Sequence, residues 1–320
     1  MNVVIRKAGL YTMKIGIPRA LLYYKYKHLW EFFFDELDIE YIVSPETNNE
    51  IVRKGTTYAI DESCLSSKIY LGHVEWLINK CDYILVPRIS DYGSGGTVCT
   101  KFQAIYDVVS NTFRDRNIKL LYYNIDPKAA DFEMIAFLKM GKFLGKSKSR
   151  SLYAYLIAKQ MQKCAQLKEI DEQKQRLSEN KTKILLIAHR YNICDKYIGE
   201  PIITFLRELG TVPILGDIAS KREALAKSIE ISETLPWTFN KELVGSIPLY
   251  KDKVDGIILM SAFPCGPDSL VNDIVIRRVK DIPILSLMLD EHEGSAGIQT
   301  RLESFVDIIR LKKGDFNEKT

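Results

Sequence analysis

Apolar residues in this chain fall into two alternating patterns, short continuous runs and longer stretches with helical spacing. The short runs predict strands at Lys14–Ile17, Glu40–Val43, Asp82–Val86 and Lys119–Tyr123. A second set falls at Lys183–Ile187, Thr211–Leu215, Gly256–Met260 and Ile282–Leu287. Between them, amphipathic stretches predict helices at Leu21–Leu37, Leu65–Lys80 and Lys101–Phe113 in the first half. In the second half they predict helices at Asp195–Leu209, Ser220–Ile229, Asp268–Val279 and Thr300–Ile309. Strands alternating with helices imply an α/β fold with mainly parallel sheets. The segment Ala130–Asn180 carries little strand signal. Its later part, from Ser151, is rich in Lys, Gln and Glu and reads as a solvated connecting helix.

The two halves also repeat one another. KIGIPRALLYYKYKHLWEFFFDELDIEYIVSPE lies against KILLIAHRYNICDKYIGEPIITFLRELGTVPILGD. Each has a strand, then an arginine (Arg19, Arg190), a helix, and a second strand ending near an acid (Glu46, Asp217). DYILVPR parallels DGIILMSAF, and IKLLYYNIDP parallels IPILSLMLDEH, with Asp126 and Asp290 following their strands. The expected architecture is two similar Rossmann-like domains with mainly parallel sheets, joined by a helical connecting segment. The expected bounds are 1–145, carrying Cys64 and Cys99, a connector at 146–181, and 182–320, carrying Cys265. In such sheets ligands bind beyond the carboxyl ends of the strands, so two facing edges would enclose a cleft.

Composition narrows the class. The 320 residues are 46% hydrophobic and 27% charged, as in soluble globular proteins. The net charge of +4 is mild, and its basic residues are scattered among acids, which argues against a nucleic-acid groove. No run approaches the roughly 20 apolar residues of a membrane helix. The N-terminus shows neither the apolar run nor the cleavage site of a signal peptide. A cytoplasmic, reducing location is expected, in which the six cysteines are free, metal-bound or catalytic rather than disulfide-paired.

Cysteine spacing gives no CxxC pair and no ferredoxin-like run. Position is more selective: Cys64, Cys99 and Cys265 each precede a predicted helix, the last with Pro267 as its expected first residue. A helix N-terminus carries partial positive charge and free N–H groups, which favour a thiolate and an anionic cluster. Cys81 reads as packing, and Cys164 lies within the connecting helix. Cys194, after the first strand of the second half, opens onto the same sheet edge and is a rival for the site. In the run Leu289–Phe305, Asp290, Glu291 and His292 could supply a proton donor or base, or simply form a polar strand exit and helix cap. Of the four histidines, His292 is the best placed for chemistry and His73 reads as packed. His28 and His189 receive no catalytic role. The GSGG of Gly93–Gly96 lacks the nucleotide-binding forms, and no nucleotide-binding motif occurs elsewhere.

Six ordered segments carry a resemblance: MKIGIPRALLYYKY, DESCLSSKIYLGHVEWLINKCDYILVPRI, VCTKFQAIYD, HRYNICDKYI, FPCGPDSLV and LDEHEGSAGIQTRLESFVD. They resemble the activase-related, D-component-like branch of the 2-hydroxyacyl-CoA dehydratase superfamily, whose relatives include double-cubane cluster proteins. The resemblance runs from about Met13 to Ile309. It implies a 4Fe–4S cluster held by Cys64, Cys99 and Cys265 at the cleft, with one iron lacking a protein ligand. It further implies electrons delivered by a separate ATP-hydrolysing activator protein, and a lyase that removes water from a 2-hydroxyacyl-CoA through a ketyl radical. A homodimer, or a heterodimer with a related subunit, would follow. Two departures stand out: Ala188-His189-Arg190 replaces the more usual Gly-Arg-Pro, and a cysteine precedes Asp195. The same resemblance admits a double-cubane reductase or electron-transfer protein acting on small molecules, and a non-catalytic accessory of the activator system. A zinc site built from the three cysteines and His292 is the structural alternative.

Overall fold

The computed structural model describes residues 13–90, 96–291 and 295–314. The first half runs β1 (Lys14–Ile17), α1 (Tyr23–Glu36), β2 (Glu40–Val43), α2 (Asn49–Tyr58), α3 (Leu65–Leu77), β3 (Tyr83–Ile89), α4 (Thr100–Gln103), α5 (Ile105–Thr112) and β4 (Leu120–Ile125). Then come α6 (Glu133–Phe143) and α7 (Lys148–Ser178). The second half runs β5 (Lys183–Ile187), α8 (Arg190–Ile193), α9 (Glu200–Glu208), β6 (Val212–Leu215), α10 (Lys221–Lys227), α11 (Thr238–Tyr250), β7 (Gly256–Ala262), α12 (Gly266–Arg278), β8 (Ile284–Leu289) and α13 (Ser295–Lys313).

The strands form two four-stranded sheets in the orders β2-β1-β3-β4 and β6-β5-β7-β8. Every pairing is parallel. The two orders are the same, so the repeat seen in the sequence is a repeat of topology. The central strand β7 is buried along its whole length, which is why GIILMSA reads as an unbroken apolar run. Edge strand β4 instead alternates and leaves Tyr122 exposed. In α1, Tyr26, Leu29, Trp30 and Phe33 recur at helical spacing and are buried.

Packing alters several expectations. The connecting segment is a single 31-residue helix, α7, and one face is not solvated: Ser151, Ala154, Tyr155, Ala158 and Gln162 are buried. The stretch Lys101–Phe113 is two helices rather than one. Helix α9 starts at Glu200 rather than Asp195, because the Asp195 carboxylate accepts from the N–H groups of Tyr197 and Ile198 at 2.9 and 3.2 Å and holds a turn there. Gly266, not Pro267, is the first residue of α12.

The larger apolar core crosses both sheets, joining Ile15, Leu85 and Val86 to Ile184, Leu186 and Ile258. The opposite face of the second sheet, with Leu185, Ile187, Ile257 and Leu259, packs on a separate cluster. Among the described residues, no helix is long and apolar enough to cross a membrane.

Candidate functional site

In each sheet the chain reverses its order of addition beside the first strand, between β1 and β3 and between β5 and β7. These are the switch points at which α/β sheets open a crevice. The segments leaving those four strands carry Leu21, Cys99, His189 and Cys265, and all four line one small cavity of about 30 Å³. Cys64, at the start of α3, lines it too. Each of the three cysteines is the N-cap of its helix: Cys64 of α3, Cys99 of α4 and Cys265 of α12. The backbone ties two of these caps together, since Leu65 N–H donates to the Phe263 carbonyl at 2.9 Å. Leu21 takes a left-handed conformation with φ of 48°, unusual for a bulky residue, and so turns the chain between β1 and α1 into the cavity wall.

The thiols are only partly buried. Burial pushes the Cys99 thiol up, with Cys64 adding to the rise, while the backbone amide of Lys101 pulls the other way. Burial also pushes Cys265 up, and Asp268 and Cys64 add to it. As bare groups Cys99 and Cys265 therefore resist becoming thiolates, because each new charge is poorly hydrated and repels its neighbours. A cation among them would reverse that balance. Cys64 Sγ lies 3.3 Å from Ser67 Oγ. Among the described residues, no group of three or more His, Cys, Asp or Glu is arranged to hold a metal ion.

Beside Cys265 lies a buried polar network. His189 Nε2 and Asp268 Oδ1 are 2.9 Å apart, and Asn240 Nδ2 donates to the same oxygen at 2.8 Å. Burial alone would push the Asp268 carboxyl up. His189 and the donors around it outweigh burial and hold it below the usual carboxylate range. The His189 ring stacks on Tyr191, with centroids 4.9 Å apart. Burial raises the Tyr191 hydroxyl well above its ordinary range, with Asp268 and the three cysteines contributing further.

The family model described as CoA enzyme activase uncharacterised domain (DUF2229) matches residues 14–218, well over half of the chain. The chain belongs to this family. The match takes in Cys64, Cys99 and His189 and ends before Cys265. No curated protein matches significantly. Among solved structures, the chain is similar to the SBP FpvC of Pseudomonas aeruginosa in complex with Ni2+, at 13% identity and a TM-score of 0.27, over 97% of this chain and 100% of that one. It is also similar to the C-terminal domain of glucosamine-fructose-6-phosphate aminotransferase from Francisella tularensis, at 14% identity and a TM-score of 0.26, over 93% and 85%. At these TM-scores neither similarity bears on fold or function.

The other candidates of this CoA enzyme activase-type domain scatter. Glu291 does not line the cysteine cavity. It forms a buried ion pair with Lys68, on the same helix α3 that Cys64 caps. His292, and Gly93 to Gly95 of the GSGG run, lie outside the described residues. His73 is packed as expected, fully buried between Ser44 and Thr47. Cys81 lies half-buried with its thiol pushed up to about 11, chiefly by burial, and Cys164 is exposed on α7. Cys194 is exposed and is absent from the cavity lining. Sequence reasoning missed His189, Asn240 and Asp268. The one available signal was the substitution of Ala188-His189-Arg190 at a strand exit, which puts an imidazole where the resemblance leads one to expect glycine or arginine.

Proposed function

We propose that this chain is an iron–sulfur protein of the activase-related dehydratase kind, in which Cys64, Cys99 and Cys265 hold a 4Fe–4S cluster at the junction of the two sheets. The observation that carries the reading is the convergence of these three cysteines, each capping a different helix, on one cavity. The N-termini of α3 and α12, helices of 13 residues each, would supply N–H groups and partial positive charge to an anionic cluster.

With three thiolates the cluster would keep one iron open, and what it supplies when bound is one-electron chemistry at that position. The chain's own residues supply the rest. Tyr191 and Phe239 wall off water, and His189, fixed by Asp268, places an imidazole ring at the cavity edge. The family membership fits a role beside an ATP-hydrolysing activator that delivers electrons, with an acyl-CoA as substrate and a related subunit as partner. Glu291 and His292 are kept as acid–base candidates.

Anaerobic purification with iron, sulfide and zinc quantification tests the proposal. Iron and sulfide near four of each per chain are expected for one cubane. Cys64→Ala, Cys99→Ala and Cys265→Ala should each remove most of the iron, while Cys81→Ala and Cys164→Ala leave it in place. Zinc without iron, or equal iron loss across all five variants, would overturn the reading.

A further inference from the structure

A second, larger cavity of about 240 Å³ adjoins the cysteine cavity and shares with it the wall formed by Leu21, His189, Tyr191 and Phe239. It lies between α1, the connecting helix α7, α11 and the carboxyl ends of β5 and β6. Its lining is mostly apolar, with two groups of charged side chains set into it. On one side Arg190 pairs with Asp217 at 2.9 Å and also with Glu169, so two carboxylates face one guanidinium and the group carries one excess negative charge. On the other side Lys25 and Lys221 pair with Glu242 at 2.9 and 3.1 Å, and burial pushes the Lys25 ammonium's pKa down against the pull of Glu242. The Lys25 ammonium also lies over the Phe239 ring, 4.3 Å from its centroid.

Two buried acceptors on this lining have no hydrogen-bond partner. Asp217 Oδ1 accepts nothing, although its side chain is only 9% exposed and its other oxygen is held by Arg190. Gln162 Oε1, on a residue 6% exposed, also accepts nothing while its amide nitrogen is engaged with the Lys25 carbonyl. Native proteins rarely leave buried acceptors unmatched, and a charged donor satisfies a carboxylate better than a neutral one. At roughly 30 Å³ per water, the cavity holds about eight waters' worth of volume, which suits a small metabolite and not a whole acyl-CoA.

We infer that this cavity binds a small zwitterion of amino-acid size, its ammonium meeting Asp217 Oδ1 and Gln162 Oε1 and its carboxylate meeting the Lys25–Lys221 side. Asp217 and Lys25 line the same cavity, so one short molecule can meet both. The inference stands independently of the cluster, since none of the three cysteines lines this cavity.

The test is saturation-transfer-difference NMR with calorimetry on the full chain. L-Alanine, β-alanine and L-serine serve as probes, with propionate and propylamine as single-charge controls. At least one zwitterion should bind with a Kd of about 1 mM or tighter, and both controls should bind at least about tenfold more weakly. Asp217→Asn and Gln162→Leu should each weaken the zwitterion by about tenfold, and if Asp217→Asn fails to fold, Gln162→Leu alone decides. The triple variant Cys64→Ala, Cys99→Ala, Cys265→Ala should bind as the parent does. Binding in that variant while iron is absent from every preparation would remove the cluster reading and leave this one standing. No saturable zwitterion, controls that bind equally well, or unchanged binding in folded Asp217→Asn and Gln162→Leu would overturn it.

Discussion

His73 shows how far a single side chain can be set by its surroundings. It is fully buried, its two ring nitrogens engage Ser44 Oγ at 2.9 Å and Thr47 Oγ1 at 3.0 Å, and Thr47 passes the contact on to Asp195 at 2.5 Å. Burial, with Arg19 nearby, depresses its pKa from 6.5 to about 3. A base with a depressed folded pKa is neutral in the fold while the unfolded chain takes up the proton. Its contribution is therefore present above pH 6.5 and is lost as pH falls toward about 3. Urea titrations should show stability dropping by about 1.4 kcal/mol per pH unit across that window from this residue, and His73→Gln should flatten the slope. An unchanged slope would show that other groups govern acid unfolding. At this scale the sequence was readable where chemistry and position coincided, as with thiols directly ahead of helices. It was unreadable for His189, Asn240 and Asp268, which lie 28 to 79 positions apart and meet only because α8 and α12 leave the neighbouring strands β5 and β7 and α11 packs against α12.

At the scale of elements, the strands were legible because they are short runs rich in apolar residues, and β3, β4, β7 and β8 merely extend two or three residues beyond their patterns. Helix α2 was not, because NEIVRKGTTY has few apolar positions and includes Gly55. That glycine explains the helix's place. A Cβ at Gly55 would meet the Lys68 carbonyl at 2.0 Å, and one at Gly72 would meet the Ile51 carbonyl at 2.0 Å. Helices α2 and α3 thus pack backbone to backbone through two glycines, which fixes α3 and with it the Cys64 cap. Gly72→Ala should push the helices apart and cost about 1–3 kcal/mol, read as a lower denaturation midpoint. If Cys64 is a ligand, iron content should fall in the same variant while the fold by circular dichroism persists. Unaltered stability would mean that α2 can shift without consequence.

Across the whole molecule, the two sheets are held by more than the shared apolar core. Buried or half-buried polar contacts cross between the halves: Ser66 to Asn192 at 2.6 Å, Tyr24 to Asp195 at 3.0 Å, Lys25 to Glu242 at 2.9 Å, and the Lys68–Glu291 pair. Breaking a buried ion pair on one side leaves a charge in a poor environment, whereas replacing both members with apolar groups removes the penalty. Lys68→Met alone should therefore destabilise by about 3 kcal/mol, and the double variant Lys68→Met, Glu291→Leu should recover most of that loss. The pair also separates the two roles open to Glu291. If its carboxylate only braces the sheets, the double variant regains stability, iron content and any electron-dependent turnover together. If it moves a proton for the reaction, the double variant regains stability and iron but not turnover, and the acid–base role stays with Glu291. A double variant no more stable than Lys68→Met would instead show that the pair does not hold the halves together.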